Sequence, residues 1–422
     1  MKVWTAAVGI AGLSAGLLVP SSSQPTPGDN WTIVIAGDVA GYLQPCGCTP
    51  SMSGGIKRWA TAVRALGDPS RVLVLENAGL VAGNGPQDRL KAEALVQALD
   101  SVQATAINVG SREAALGPGE LNQLSQLSNG KLVSTSLGPN QQIGIAAFAR
   151  KGPFLIGAAV TQPSTLSALG GSPLSGIDSA KRLVAQATAE GLTPILMLEG
   201  NRQEATEIAA ALPAIKLIVF SQGGEAPLVA YDVGSTKLVT PGEHGIYLVR
   251  ISYAKKRFSN YSITDLGPNV HDDPKVSSFY SQYLRTVDNK HLIDAWPRKT
   301  TEPYVGSTRC GSCHQSSFKV WERSKHRGSY TDLSAQGHGK DPDCVVCHVT
   351  GLGSDQGFRD LVKTPDLGYV GCESCHGPGD KHTANPFGFK MPKIGEKSCR
   401  SCHDPENSPR FQFLTYWSQI RH

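Results

Sequence analysis

Cysteine is almost absent from the larger part of this 422-residue chain: of ten cysteines, only Cys46 and Cys48 precede Cys310. Two cysteines close at most one bridge, so a disulfide framework across the front of the molecule is excluded. Long apolar runs are equally scarce. After Ala6 to Val19 nothing approaches the ~20 apolar residues that a spanning helix needs, and no stable membrane span is expected beyond that point. Charge of one sign is missing as well. Against 40 basic residues stand 35 acidic ones, a formal net charge of +5 with no long basic run, so a nucleic-acid partner is not expected. What remains, 40% hydrophobic and 18% charged, is ordinary globular material with length enough for two or three domains.

The chain opens with Met1-Lys2-Val3-Trp4, the apolar run Ala6 to Val19, and Pro20 followed by serines. A positive end, a short hydrophobic core and a polar exit read as a signal peptide over residues 1–27. The run is too short and too rich in glycine and alanine for a span, and no cysteine follows it to carry a lipid. An exported protein, periplasmic or extracellular, is expected. Over residues 28–268, apolar runs of strand length (Trp31 to Ala36, Val72 to Leu75, Ala106 to Val109, Phe154 to Val160, Pro194 to Leu198, Leu217 to Phe220) alternate with helical patterns. The helical stretches are Gly55 to Leu66, Asp88 to Leu99, Ser179 to Glu190 and Glu204 to Leu212. Such alternation predicts an α/β layered sandwich with a largely buried sheet. Its tail, Leu228 to Tyr231, Lys237 to Thr240, Gly245 to Tyr253 and Phe258 to Asp265, reads as antiparallel strands. Residues 269–303 read as a one-faced helix from Val276 to Asn289, begun by Asp272-Asp273-Pro274, and then a polar linker.

The other eight cysteines fall into a single pattern within residues 304–422. Its four copies are Cys310-Gly-Ser-Cys313-His314, Cys344-Val-Val-Cys347-His348, Cys372-Glu-Ser-Cys375-His376 and Cys399-Arg-Ser-Cys402-His403. Zinc ribbons need no histidine directly after the second cysteine, and a disulfide framework predicts irregular spacing; here the histidine follows every time. CxxCH is the pattern of covalent c-type haem attachment, in which two thiols add to the haem vinyl groups and the histidine binds the iron. Four covalent haems (heme c) are therefore expected, with His314, His348, His376 and His403 as metal ligands. Successive copies lie too close together for each haem to have its own apolar core. A mainly α-helical domain in which stacked haems form the core is predicted, and attachment outside the cytoplasm agrees with export. For Cys46 and Cys48 three readings stay open: a mutual disulfide, ligation of a metal or haem iron, or free thiols.

Two resemblances extend this reading. Ile33-Val-Ile-Ala-Gly-Asp38-Val-Ala40-Gly-Tyr-Leu-Gln-Pro-Cys46-Gly-Cys48, with Gly54-Gly55-Ile56-Lys57-Arg58 after it, resembles the opening of the calcineurin-like metallophosphatases of the 5′-nucleotidase branch. That resemblance implies a sandwich carrying two bridging metals that activate water. Most of the implied ligands are missing. Asp38 survives, but Ala40 replaces the paired histidine, Gly79-Leu80 replaces a Gly-Asp, Ser111 replaces an asparagine, and Gly200, Gln222 and Gly224 stand where later histidines would fall. A retained scaffold without phosphatase activity is expected, with a metal-dependent phosphoesterase as an alternative.

The run Cys310 to His314, Phe318-Lys-Val-Trp321-Glu-Arg-Ser324-Lys-His326, Cys344 to Gly353 and Val370-Gly-Cys372-Glu-Ser-Cys-His376-Gly-Pro-Gly379-Asp-Lys-His382 resembles the cytochrome c554 family of tetrahaem electron carriers. The resemblance implies that His326 caps the haem of His376 and that His382 caps the haem of His314. It also implies that the haem of His348 has no distal side chain, unless His338 supplies one. For the haem of His403 the expected cap is His422, carried on an aromatic helix from Phe411 to His422. His271 and His291 read as solvated surface histidines. The function expected is electron transfer between redox protein partners through mostly bis-histidine haems, the N-terminal domain docking or positioning the cytochrome. Reduction of a small nitrogen oxide at the His348 haem is an alternative. Mass measurement and haem staining of the denatured protein are expected to show four covalent haems, and Cys372→Ala with Cys375→Ala to show three.

Overall fold

The computed structural model describes residues 30–45 and 52–422; the expected signal peptide and the Cys46 and Cys48 readings lie outside the described residues. Strand β1 (Trp31–Ala36) shows why the strand runs lack polar alternation. Val34 and Ala36 enter one apolar cluster, while Trp31, Ile33 and Ile35 enter another on the opposite face. In β2 (Val72–Glu76), Val72 and Val74 divide from Leu73 and Leu75 in the same way. With β3 (Ala106–Asn108) and β4 (Leu132–Val133) these strands run parallel.

The second sheet is built from β5 (Phe148–Lys151), β6 (Phe154–Val160), β7 (Thr193–Glu199), β8 (Leu217–Phe220), β9 (Tyr231–Val233) and β10 (Thr236–Val239). Its six strands follow the order β5-β6-β7-β8-β10-β9. The first sheet, also six-stranded, is completed by β11 (Tyr247–Ala254) and β12 (Arg257–Asp265), in the order β12-β11-β1-β2-β3-β4. The expected antiparallel tail is thus divided. The β9–β10 hairpin edges one sheet, with β10 parallel to β8, and β11–β12 edges the other. Leu228 and Val229, expected in a strand, precede β9 and are 82% and 68% exposed, because no neighbouring chain covers them.

Helices cover both outer faces. Against the first sheet pack α1 (Ile56–Arg64), α2 (Pro86–Ser101) and α4 (Pro118–Leu127), the short α3 (Ser111–Ala115) lying at the end of β3. Against the second pack α5 (Gly176–Glu190) and α6 (Arg202–Ala211). Helix starts follow local chemistry: Ser175 accepts from the Asp178 amide, and Asn201 with Glu204 forms a capping box. Helix α7 (Pro274–Asn289) joins the first helical layer by burying Val276, Tyr280, Tyr283 and Val287.

The following linker is fastened rather than free. The Arg298 guanidinium donates to the carbonyls of Leu352, Phe358 and Ile293, and the Lys299 amide donates to Gly353 at 2.8 Å. Beyond it the helices shrink. Ser307–Gly311, Cys372–His376, Asp380–Ala384 and Glu396–Arg400 are five residues each. The expected C-terminal helix is confined to Phe413–Trp417, and Leu414 is 79% exposed, since its turn finds no apolar surface to lie on.

Asp273 caps α7 by accepting from the Val276 amide at 2.9 Å, and its other oxygen binds Arg64 at 2.7 Å with only 4% of the side chain exposed. Asp273→Ala removes a cap and an ion pair whose arginine is 40% exposed, so unfolding in denaturant is expected to show a loss of about 1–2 kcal/mol.

Candidate haem site

At the carboxyl ends of β1 and β2 the backbone is clasped. The amides of Asp38, Ala40 and Gly41 donate to the carbonyls of Ala78, Gly79 and Leu80 at 2.7–2.8 Å. Holding this clasp puts Asp38, Ala40 and Ala78 at φ 49°, 51° and 64°, where side chains are strained. Gly79 has φ +78°, and a Cβ there would stand 2.8 Å from the Asp38 Cα.

The side chains over this clasp do not suit a dinuclear metal centre. The Asp38 carboxylate is held by Arg112 at 2.6 Å, so a guanidinium neutralises it. Ser111 commits its hydroxyl and amide to Glu199, at 2.6 and 2.8 Å. At Gly200 a Cβ would meet Thr161 at 2.5 Å, leaving no room for a histidine. Among the described residues no group of three or more His, Cys, Asp or Glu is arranged to hold a metal. Buried beneath are Glu76, whose carboxyl burial pushes well above its usual range, aided by the charges of Glu113 and Asp38, and Glu113, which burial and then Glu199 raise to about 7.

The same end of the sandwich meets the cysteine-rich segment. Tyr42 donates to Glu406 at 2.6 Å, and Gln44 lies 3.4 Å from Nε2 of His338, whose Nδ1 is 3.2 Å from the Tyr280 hydroxyl. Both ring nitrogens of His338 therefore face the α/β domain. Gln87 and Tyr283 bond to Asp341, the N-cap of helix Pro342–His348, and Lys91 pairs with Asp343.

Within the segment, thiols meet across the repeats. Cys310 lies beside Cys372, and Cys347 beside Cys402, so the first copy lies by the third and the second by the fourth. Imidazoles meet too. The rings of His314 and His382 are 6.1 Å apart and 21° from parallel; His376 and His422 are 6.1 Å apart; His326 and His403 are 6.3 Å apart. A metal bound by two imidazoles through bonds of about 2 Å places their ring centroids about 6 Å apart, so the spacing of all three pairs is compatible with one iron between them.

The hydrogen bonds suit it as well. Nδ1 of His348, His382 and His422 lies 2.9, 2.6 and 3.0 Å from the carbonyls of Ser329, Phe389 and Ile420, and Nδ1 of His403 lies 3.0 Å from the Ser408 hydroxyl. A donor proton on Nδ1 leaves the Nε2 lone pair for a metal. The apolar cluster here numbers eight buried residues against 40 in the largest cluster of the α/β domain, a core too thin for side chains alone to support the segment.

The ring of His382 lies beside that of His314. His326 faces His403 rather than His376, and His422 faces His376 rather than His403. The cause is the contact between copies: His326 sits among the second and fourth, feeling the charges of His403 and His348, whereas the chain end returns to the first and third, where His422 acts on Cys372 and His376. Sequence reading passed over Glu373, Thr350 and Ser307, buried residues whose side chains accept main-chain amides around the third copy. A charged residue between the two cysteines of one copy was the available signal for Glu373.

Residues 309–377 match the family model described as cytochrome c554 and c-prime. Cytochrome c-554 of Nitrosomonas europaea is 35% identical over 92 residues, covering 18% of this chain and 39% of that protein, so the chain spans well under half the length of this curated relative. The α/β part has its own likenesses. The 5′-nucleotidase precursor of Thermus thermophilus superposes with a TM-score of 0.52 at 17% identity, covering 73% of this chain and 68% of that one. The NAD nucleotidase of Haemophilus influenzae does so with a TM-score of 0.52 at 12% identity, covering 66% and 64%. At such identities the likeness is one of fold alone. A nucleotidase-like α/β sandwich is therefore joined to a segment of the cytochrome c554 type.

Glu113 generates a pH test. Its folded carboxyl, raised to about 7, holds a proton that the unfolded one releases near the ordinary value of 4.5. Stability from this group is full below the unfolded value and falls by about 3 kcal/mol as pH climbs to 7, with Glu76 acting in the same direction. Urea midpoints between pH 4.5 and 8 are expected to decline, and Glu113→Gln to decline less steeply.

Proposed function

We propose that residues 304–422 hold four covalent c-type haems through Cys310, Cys313, Cys344, Cys347, Cys372, Cys375, Cys399 and Cys402, and that the exported chain passes electrons between redox protein partners. The observation that carries this reading is the three facing imidazole pairs. His314 with His382, His376 with His422 and His403 with His326 would each hold one haem iron, and His348 would hold that of the remaining haem. Bound haem supplies an iron that cycles by one electron. The protein's part is positional: two imidazoles hold one coordination number in both oxidation states, which keeps reorganisation small. The carbonyl acceptors on Nδ1 of His348, His382 and His422 favour the ligating tautomer of those rings. The first copy lies by the third and the second by the fourth, so haems held at these copies would be neighbours.

The α/β domain acts as a scaffold in this reading. Gln87, Lys91 and Tyr283 fix one attachment helix, and Arg298 anchors the linker. Export is supported by the chemistry of covalent haem attachment, and among the described residues no helix is long and apolar enough to cross a membrane.

One observation favours a second activity at the His348 haem. His338, the candidate sixth ligand, is engaged by Gln44 and Tyr280 of the α/β domain. With His338 so engaged, a haem held by His348 would lack a second imidazole, and a small nitrogen oxide could bind there. Electron paramagnetic resonance of the ferric protein is expected to show three low-spin haems and one high-spin haem that responds to nitric oxide. His326→Ala is expected to raise the high-spin count to two. Four low-spin haems in the wild-type protein would exclude the second activity, and an unchanged spectrum in His326→Ala would exclude the pairing with His403.

A further inference from the structure

Glu373 occupies a variable position of the third CxxCH copy, where haem attachment asks nothing of it. It is nonetheless 3% exposed. Its carboxylate accepts only main-chain amides in the bonds it makes: Gly379 at 2.7 Å, Gly306 at 2.8 Å, and Val305 at 3.0 Å to each oxygen. These donors begin two different helices. Gly306 is the N-cap of Ser307–Gly311, which carries Cys310 and leads into His314, and Gly379 is the N-cap of Asp380–Ala384, which carries His382. Gly306, at φ +82°, has a conformation that directs its amide inward with little cost to the backbone. Helix N-termini expose unpaired amides, and a buried carboxylate bonded to amides of both strengthens each bond by its charge. One side chain from the third copy thereby sets the distance and tilt between the attachment helix of the first copy and the helix that supplies the facing ring.

We infer that Glu373 is the positioning residue for the His314–His382 pair, so that the axial geometry of the first haem is governed from within the attachment site of the third. The inference rests on the reading in which these two imidazoles bind one iron. It reaches beyond that reading by coupling two sites through a single carboxylate. Glutamine in its place would turn an amide group toward the N–H donors and lose one acceptor, loosening Gly379 while leaving every haem-binding side chain in place. Aspartate keeps the charge on a shorter stem.

The test uses the full-length holoprotein with Glu373→Gln, Glu373→Ala, Glu373→Asp and His382→Ala, measuring covalent haem number by mass and spin state by electron paramagnetic resonance. All four variants are expected to keep four haems. Glu373→Gln and Glu373→Ala are expected to weaken or shift the low-spin signal that His382→Ala removes, leaving the other low-spin signals where they were, and Glu373→Asp to restore it in part. The inference is overturned if that signal is unaltered, if all signals move together, or if both neutral variants lose haem while His382→Ala keeps it, since the role of Glu373 would then be fold-wide. A His382→Ala protein with every low-spin signal intact would overturn the axial pairing itself, and the positioning role with it.

Discussion

Imidazole rings brought together in pairs, with about 6 Å between centroids, constrain much of the C-terminal segment. Such a pair joins a ring fixed beside its own cysteines to one delivered by a distant stretch of chain, and each ring must arrive in the right tautomer. Short helices are the consequence, because a long helix would carry its residues past the neighbouring copy. Main-chain cross-ties do what an apolar core does elsewhere: the Trp321 indole donates to the Val370 carbonyl at 2.8 Å, Thr350 bonds to Gly371 and Tyr369, and Glu373 gathers three amides. Each is a buried polar contact that is satisfied, and each would be costly to leave unpaired.

The α/β sandwich is stabilised in the opposite way. Two sheets with helices outside bury large apolar clusters on every face, so its backbone can tolerate strained residues at Asp38, Ala40 and Ala78 without losing the fold. Here Arg112 pairs with Asp38 and Ser111 turns to Glu199, so charge is balanced inside the protein rather than by divalent cations. The neighbouring residues Tyr42 and Gln44 reach across to Glu406 and His338, and the sheet edge has become a contact surface for the cytochrome segment.

Much of the sandwich was legible in the chain. β1, β6 and β8 keep the limits expected of them because runs buried on both faces have no polar alternation to blur their ends. α7 was readable from one apolar face and an Asp-Pro start. β4, only two residues long, and β5, with Arg150 and Lys151 in it, carry too little pattern to be seen alone; pairing with β3 and β6 creates them. The aromatic C-terminus failed as a long helix because aromatic content is not amphipathic order. Phe411 stacks on His403 instead of extending a helix.

In the haem segment the division is sharper. Covalent attachment is local chemistry: two thiols and a histidine within five residues are written in the sequence and need no tertiary structure to be recognised. The second axial ligand is not local. Whether His326 serves the third or the fourth copy, and where His422 returns, depends on which copies pack together, and that was decided by the meeting of Cys310 with Cys372 and of Cys347 with Cys402. Spacing along the chain carries no information about such contacts. The sequence by itself determined the four CxxCH copies, whose spacing is local, and only the fold decided which distant ring lies beside His314, His376 and His403.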